Sequence, residues 1–150
     1  MATADQVYAD PSALLKLYLH EPESRVMAAW RARHSGALAV THHGRVELTN
    51  GLALAAHRGL VSDEVFQHAL AALDDDFSSG RYRQADLLWR ATLNRTALLS
   101  RRHSRALGTR TLDVLHVASA LELGLRQFLT FDLRQQALAH TAGLKLVTLR

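Results

Sequence analysis

Four carboxylates stand out by their surroundings: Asp10, Glu47, Asp113 and Asp132, separated by 37, 66 and 19 residues and each flanked by apolar sequence. Such flanks argue against idle solvated side chains. Gathered at one place, four carboxylates would repel and destabilise the fold unless a cation neutralised them. A hard divalent ion held by oxygen ligands, Mg2+ or Mn2+, is the simplest resolution. The chain has no cysteine, which excludes disulfides, thiolate zinc sites, iron–sulfur clusters and cysteine nucleophiles, so any metal must use His, Asp or Glu. Carboxylate-held metal beside a cationic surface suits phosphodiester hydrolysis, in which metal ions activate water and stabilise the leaving oxygen. Walker, GxGxxG, Gly-x-Ser-x-Gly and His-Glu-x-x-His patterns are all absent.

Each acid also has an ordinary structural reading. Asp10 can cap a helix that starts at Pro11, Asp132 can cap the helix after it, and Glu47 and Asp113 can favour the positive ends of theirs. His116, three residues after Asp113, reads as a packed core histidine more than as a ligand. His42-His43 read as incidental, and Asp74-Asp75-Asp76 as a solvated helix end.

The net charge of +4 is unevenly placed. Residues 1–80 carry an excess of acids, whereas residues 81–110 hold eight arginines against the single acid Asp86. Guanidinium suits bidentate contact with phosphate, so a nucleic acid is a reasonable partner, with Arg81, Arg83, Arg101, Arg102 and Arg105 as candidate contacts. The plainer reading is a solvated, Arg-rich helix face.

The elements that must position these residues follow from periodicity. Val7–Ala9 reads as a strand, Ala13–Leu19 as a helix and residues 23–34 as a second helix. Ala37–Thr41 is a strand, followed by helices over 43–58 and from Ser62 to about Leu73. A weak strand over Arg83–Leu87 precedes a helix over Leu88–Arg105, with Leu88, Ala91, Leu98 and Leu99 on its apolar face. Leu112–Leu123 is a helix apolar nearly all round; then come a strand over Gln127–Phe131, a helix over Asp132–Ala142 and a strand over Leu144–Thr148. Strands alternating with helices imply a parallel sheet covered on both faces, with its site at the carboxyl ends of the strands. At 150 residues and 48% hydrophobic, the chain reads as one domain over 1–150, and with neither an apolar span nor a signal sequence it is expected to be soluble, cytoplasmic and away from membranes.

Three segments resemble PIN-domain ribonucleases, and within them the VapC-type toxins of toxin–antitoxin pairs. YADPSALLKLYLHEPES is similar to the opening of that family, THHGRVELTNGLA to its second segment, and TLDVLHVASALELGLRQFLTFD to its third and fourth. The resemblance implies a three-layer α/β/α sandwich with a small parallel sheet, Mg2+- or Mn2+-dependent endoribonuclease activity, inhibition by a cognate VapB-type antitoxin, and homodimers. It also implies that Asp10, Glu47, Asp113 and Asp132 are the catalytic acids, with Asp10, Asp113 and Asp132 on the metal and Ser12 supporting them by hydrogen bonding. Two other readings stay open: a PIN-like module that binds RNA or protein without cutting, and a phosphoacceptor or phosphatase domain. The second of these would need a lysine near the phosphate, and neither Lys16 nor Lys145 is well placed.

Overall fold

Alternate strand residues bury on opposite faces of a parallel sheet in the computed structural model, which describes residues 3–149. The strands are β1 (Val7–Ala9), β2 (Leu38–Thr41), β3 (Tyr82–Ala85), β4 (Gln127–Leu129) and β5 (Lys145–Leu146). Hydrogen bonds link β1, β4 and β5 in one set and β2 with β3 in another, and β1 lies against β2. All pairings are parallel, with Tyr8 opposite Phe128 and Ala39 opposite Arg83.

On one face, Val7, Ala9, Leu38, Val40 and Leu129 pack under α1 (Pro11–Leu15), α2 (Ser24–Arg33), α3 (His42–His57) and α4 (Asp63–Ser78) through Leu14, Met27, Leu48 and Leu73. On the other, Tyr8, Ala39, Ala85 and Phe128 meet α5 (Trp89–Leu99), α7 (Thr111–Glu122) and α8 (Leu133–Thr141) through Leu99, Val114, Val117 and Leu138. A two-residue side-chain period therefore produces a three-layer α/β/α sandwich whose sheet divides the core in two. Among the described residues, no helix is long and apolar enough to cross a membrane.

Several elements depart from the sequence reading. α1 stops at Leu15, and the chain to Leu19 continues as turns in which Lys16, Leu17 and Tyr18 N–H groups bond three residues back. This lets the Tyr18 hydroxyl reach Asp76 and, at 2.8 Å, that of Tyr82. α4 runs past Leu73 to Ser78, so Asp74-Asp75-Asp76 belongs to its closing turns, with Asp74 and Asp75 exposed as a solvated helix end should be and Asp76 half-buried. Distant arginines offset the acidic run: Arg45 lies 3.5 Å from Asp74 and Arg81 3.0 Å from Asp76. The Arg-rich helix ends at Leu99, passes through a π-helical turn over Ser100–Ser104, and closes in α6 (Arg105–Leu107) before Gly108, whose φ of +69° favours glycine. Its buried side is Thr92, Thr96 and Leu99, whereas Leu88 and Leu98 are exposed. The threonine hydroxyls donate to carbonyls four residues back at 2.9 and 2.8 Å, which satisfies them inside the protein.

α1 and α3 approach closely because position 51 is glycine. A Cβ there would lie 2.6 Å from the Leu15 Cδ1. That approach brings Glu47 of α3 towards the Asp10 end of α1.

Candidate active site

Parallel strands put all their carboxyl ends on one edge, and the helices that follow begin there. Asp10 follows β1, and its backbone N–H donates to the Leu129 carbonyl at the end of β4 at 3.0 Å, tying the two strand ends together. The Asp10 side chain caps α1: Oδ2 accepts from the Ser12 backbone N–H at 3.0 Å and from the Ser12 hydroxyl. Asp132 caps α8, accepting from the Gln135 backbone N–H at 2.9 Å. Asp113 lies in the first turn of α7 and reaches back to the Arg110 backbone N–H and Nε at 3.3 and 3.2 Å. Glu47 lies in the second turn of α3.

These capping roles do not compete with a shared site. Asp10, Glu47, Asp113 and Asp132, with Ser12, Arg110, Thr111 and Leu112, line one cavity of about 600 Å3. Its ligating side chains are carboxylates and hydroxyls, a donor set that fits a hard divalent cation. Among the described residues no three of the acids, with or without a histidine, already close on one point. Their oxygens are instead held by separate donors, and Arg110 occupies one edge of Asp113.

Two buried connections lie behind the acids, and sequence reasoning assigned neither. The Tyr8 hydroxyl lies 2.6 Å from His116 Nδ1, and His116 Nε2 lies 2.6 Å from Glu47 Oε1. His116 is 1% exposed, so it is a core histidine that also orients an acid. Burial pushes the Tyr8 phenol well above its usual range and keeps its proton available for donation. The tautomer with hydrogen on Nε2 satisfies both contacts: Tyr8 donates to Nδ1, and Nε2–H donates to Glu47. The second connection is Gln135, fully buried, whose Nε2 donates to Asp10 Oδ1 at 2.9 Å and to the Asp113 carbonyl at 3.2 Å. Asp132-Leu-Arg-Gln135 has the cap-to-third-residue spacing of a capping box, so the sequence carried a signal for this glutamine.

Among the described residues, Arg110 is the one arginine that lines the cavity. Arg81 immediately precedes β3, at the amino edge of the parallel sheet and opposite the acids, and is paired with Asp76. Arg102 lines a separate cavity with Glu122, at the far end of α7. Arg83, Arg101 and Arg105 are exposed and lie outside the acid cavity.

A comparison with curated proteins finds no match. The family model of the PIN domain matches residues 7–144, a span that starts with β1 and takes in all four acids. This chain therefore belongs to the PIN domain family, whose members are generally metal-dependent nucleases.

Proposed function

We propose that the chain is a Mg2+- or Mn2+-dependent endoribonuclease and the toxin of a VapBC-type pair. The observation that carries this reading is the convergence of four acids from distant segments on one cavity at the carboxyl edge of the sheet. Asp10, Asp113 and Asp132 would hold the cation. When bound, the divalent ion supplies activation of water and stabilisation of charge on the phosphodiester. Gln135 fixes Asp10, and Ser12 covers its other oxygen. His116 engages Glu47 Oε1 and leaves Oε2 to take the proton of the attacking water. Arg110, at the cavity wall, offers a cation to the substrate phosphate.

The toxin assignment is supported by the three segments similar to VapC-type proteins; an RNA substrate, a VapB-type antitoxin and a homodimer belong to the same reading. Brief expression followed by sequencing of cellular RNA ends tests it. Attack by water, unlike attack by the neighbouring 2′-hydroxyl, leaves no 2′,3′-cyclic phosphate. The expected result is new discrete ends without that group, lost in Asp113→Asn and suppressed by the product of an adjacent antitoxin frame. An RNA population identical to that of Asp113→Asn would contradict the reading.

A further inference from the structure

A second cavity, of about 300 Å3, opens at the carboxyl ends of β2 and β3 and is lined by His42, His43, Ala85, Asp86, Leu87 and Trp89. It adjoins the acids through two side-chain contacts. The His43 ring lies 4.9 Å from that of His116, which is bonded to Glu47. His116 thus joins His43, which lines the second cavity, to Glu47, which lines the first.

Resting on the ribonuclease reading above, we infer that this second cavity receives an unpaired RNA base, stacked on Trp89, beside the phosphodiester to be cut. Trp89 is 48% exposed at the start of α5, although a large apolar ring would ordinarily be buried. Its inner side is braced by His43, at 5.2 Å between centroids. Burial, with His116 and His42 nearby, holds His43 down at about 4, so near neutral pH the brace is an uncharged flat ring. Ala85 and Leu87 complete an apolar floor.

The rim is polar and supplied by a pair. His42 Nε2 lies 2.8 Å from Asp86 Oδ1, with both side chains mostly exposed. A carboxylate there repels phosphate and accepts N–H from an exocyclic amino group, so it favours the base edge over the backbone. Arg83 and Arg90, both exposed on flanking positions, are available to the phosphates outside. At about 300 Å3 the cavity has room for one base, and stacking on an aromatic face tolerates any base.

Tryptophan emission provides the test, because the other tryptophan, Trp30, is buried in the core. Wild type, Trp89→Phe and Trp89→Ala are titrated in EDTA with a short single-stranded RNA of mixed sequence, and separately with inorganic tripolyphosphate. Saturable quenching by RNA is expected in the wild type only, with none from tripolyphosphate. Affinity in all three proteins is read from the anisotropy of the same RNA carrying a terminal fluorescein: Trp89→Phe should bind nearly as well as wild type, and Trp89→Ala about tenfold more weakly. Unchanged affinity in Trp89→Ala, equal quenching by tripolyphosphate, or emission that follows protein concentration and not RNA would overturn the base site; the last result would mean that a second copy covers Trp89. Adding Mg2+ to the same samples separates the two readings. Cleavage without Trp89-dependent binding removes the base site and keeps the nuclease, whereas Trp89-dependent binding without cleavage supports the base site and removes the nuclease.

Discussion

The side-chain amide of Gln135 donates to Asp10 Oδ1 at 2.9 Å across 125 residues of sequence. The same residue's backbone N–H holds Asp132, and its Nε2 also reaches the Asp113 carbonyl, so one buried glutamine touches three of the four acid positions. Its Oε1 is buried and has no partner among the described residues. Gln135→Leu removes both the donor and this orphaned oxygen, so the two effects partly offset. The net loss should be about 1–2 kcal/mol in urea denaturation, with cleavage falling more than tenfold. Full activity in this variant would show that Asp10 needs no support from α8.

Tyr8→Phe tests the relay behind Glu47. The ring stacks on Phe128 at 5.5 Å and 4°, so the substitution keeps the packing and deletes only the hydroxyl that faces His116. Stability should fall by about 1 kcal/mol. Tyr8 lies in the core, away from substrate, so the loss in cleavage should appear in kcat with KM unchanged. His116→Ala, which also opens a buried cavity, should cost about 2–4 kcal/mol. An unchanged kcat in Tyr8→Phe would remove the positioning role.

On the proposed metal site, Arg110 and a divalent cation would compete for the Asp113 carboxylate. The pair with Asp113 is formed by a mostly exposed guanidinium, so Arg110→Ala should change stability by no more than about 0.5 kcal/mol. Freed of the arginine, Asp113 should bind the cation more readily, and the Mg2+ concentration for half-maximal cleavage should fall while RNA affinity weakens. Titration of cleavage rate against Mg2+ at fixed RNA measures the first effect. A rise in that concentration would show that Arg110 supports the metal site.

His43 should make stability depend on pH in a defined window. In the unfolded chain the ring takes its proton near 6.5, whereas in the folded protein burial delays this to about 4. Its contribution is whole above 6.5, declines as pH falls between those values, and is gone below about 4. Solvent screening of a partly exposed ring limits the change to about 1–2 kcal/mol. Urea midpoints should fall more steeply over this window in wild type than in His43→Gln, and parallel curves would show that His43 titrates normally.

The positions of Asp10 and Asp132 were legible because strand ends and helix caps are local patterns: Asp-Pro after an apolar strand, and Asp at the junction of the Gln127–Phe131 run with the helix that follows. The layers were legible too, since adjacent strand residues such as Val7 and Tyr8 are both apolar and must bury on opposite faces. What distance couples was not legible. The pairing of Asp74 with Arg45 and of Asp76 with Arg81 joins residues that are not close in sequence. The inward face of α5 depends on threonine hydroxyls turning back to their own carbonyls. His116 reads correctly as a core residue, yet its bond to Glu47 spans 69 residues and leaves no local trace. The arginine run was visible as charge, but local charge does not say which side of the sheet it will reach.

The central claim is that the four acids form one metal-dependent nuclease site. Its most direct test is the rate of RNA cleavage with Mg2+ or Mn2+ by purified wild type, Asp10→Ala and Asp113→Ala, with folding checked by circular dichroism. The account predicts metal-stimulated cleavage in wild type that EDTA abolishes, and no cleavage above background in either folded variant. Undiminished cleavage in both variants would contradict it.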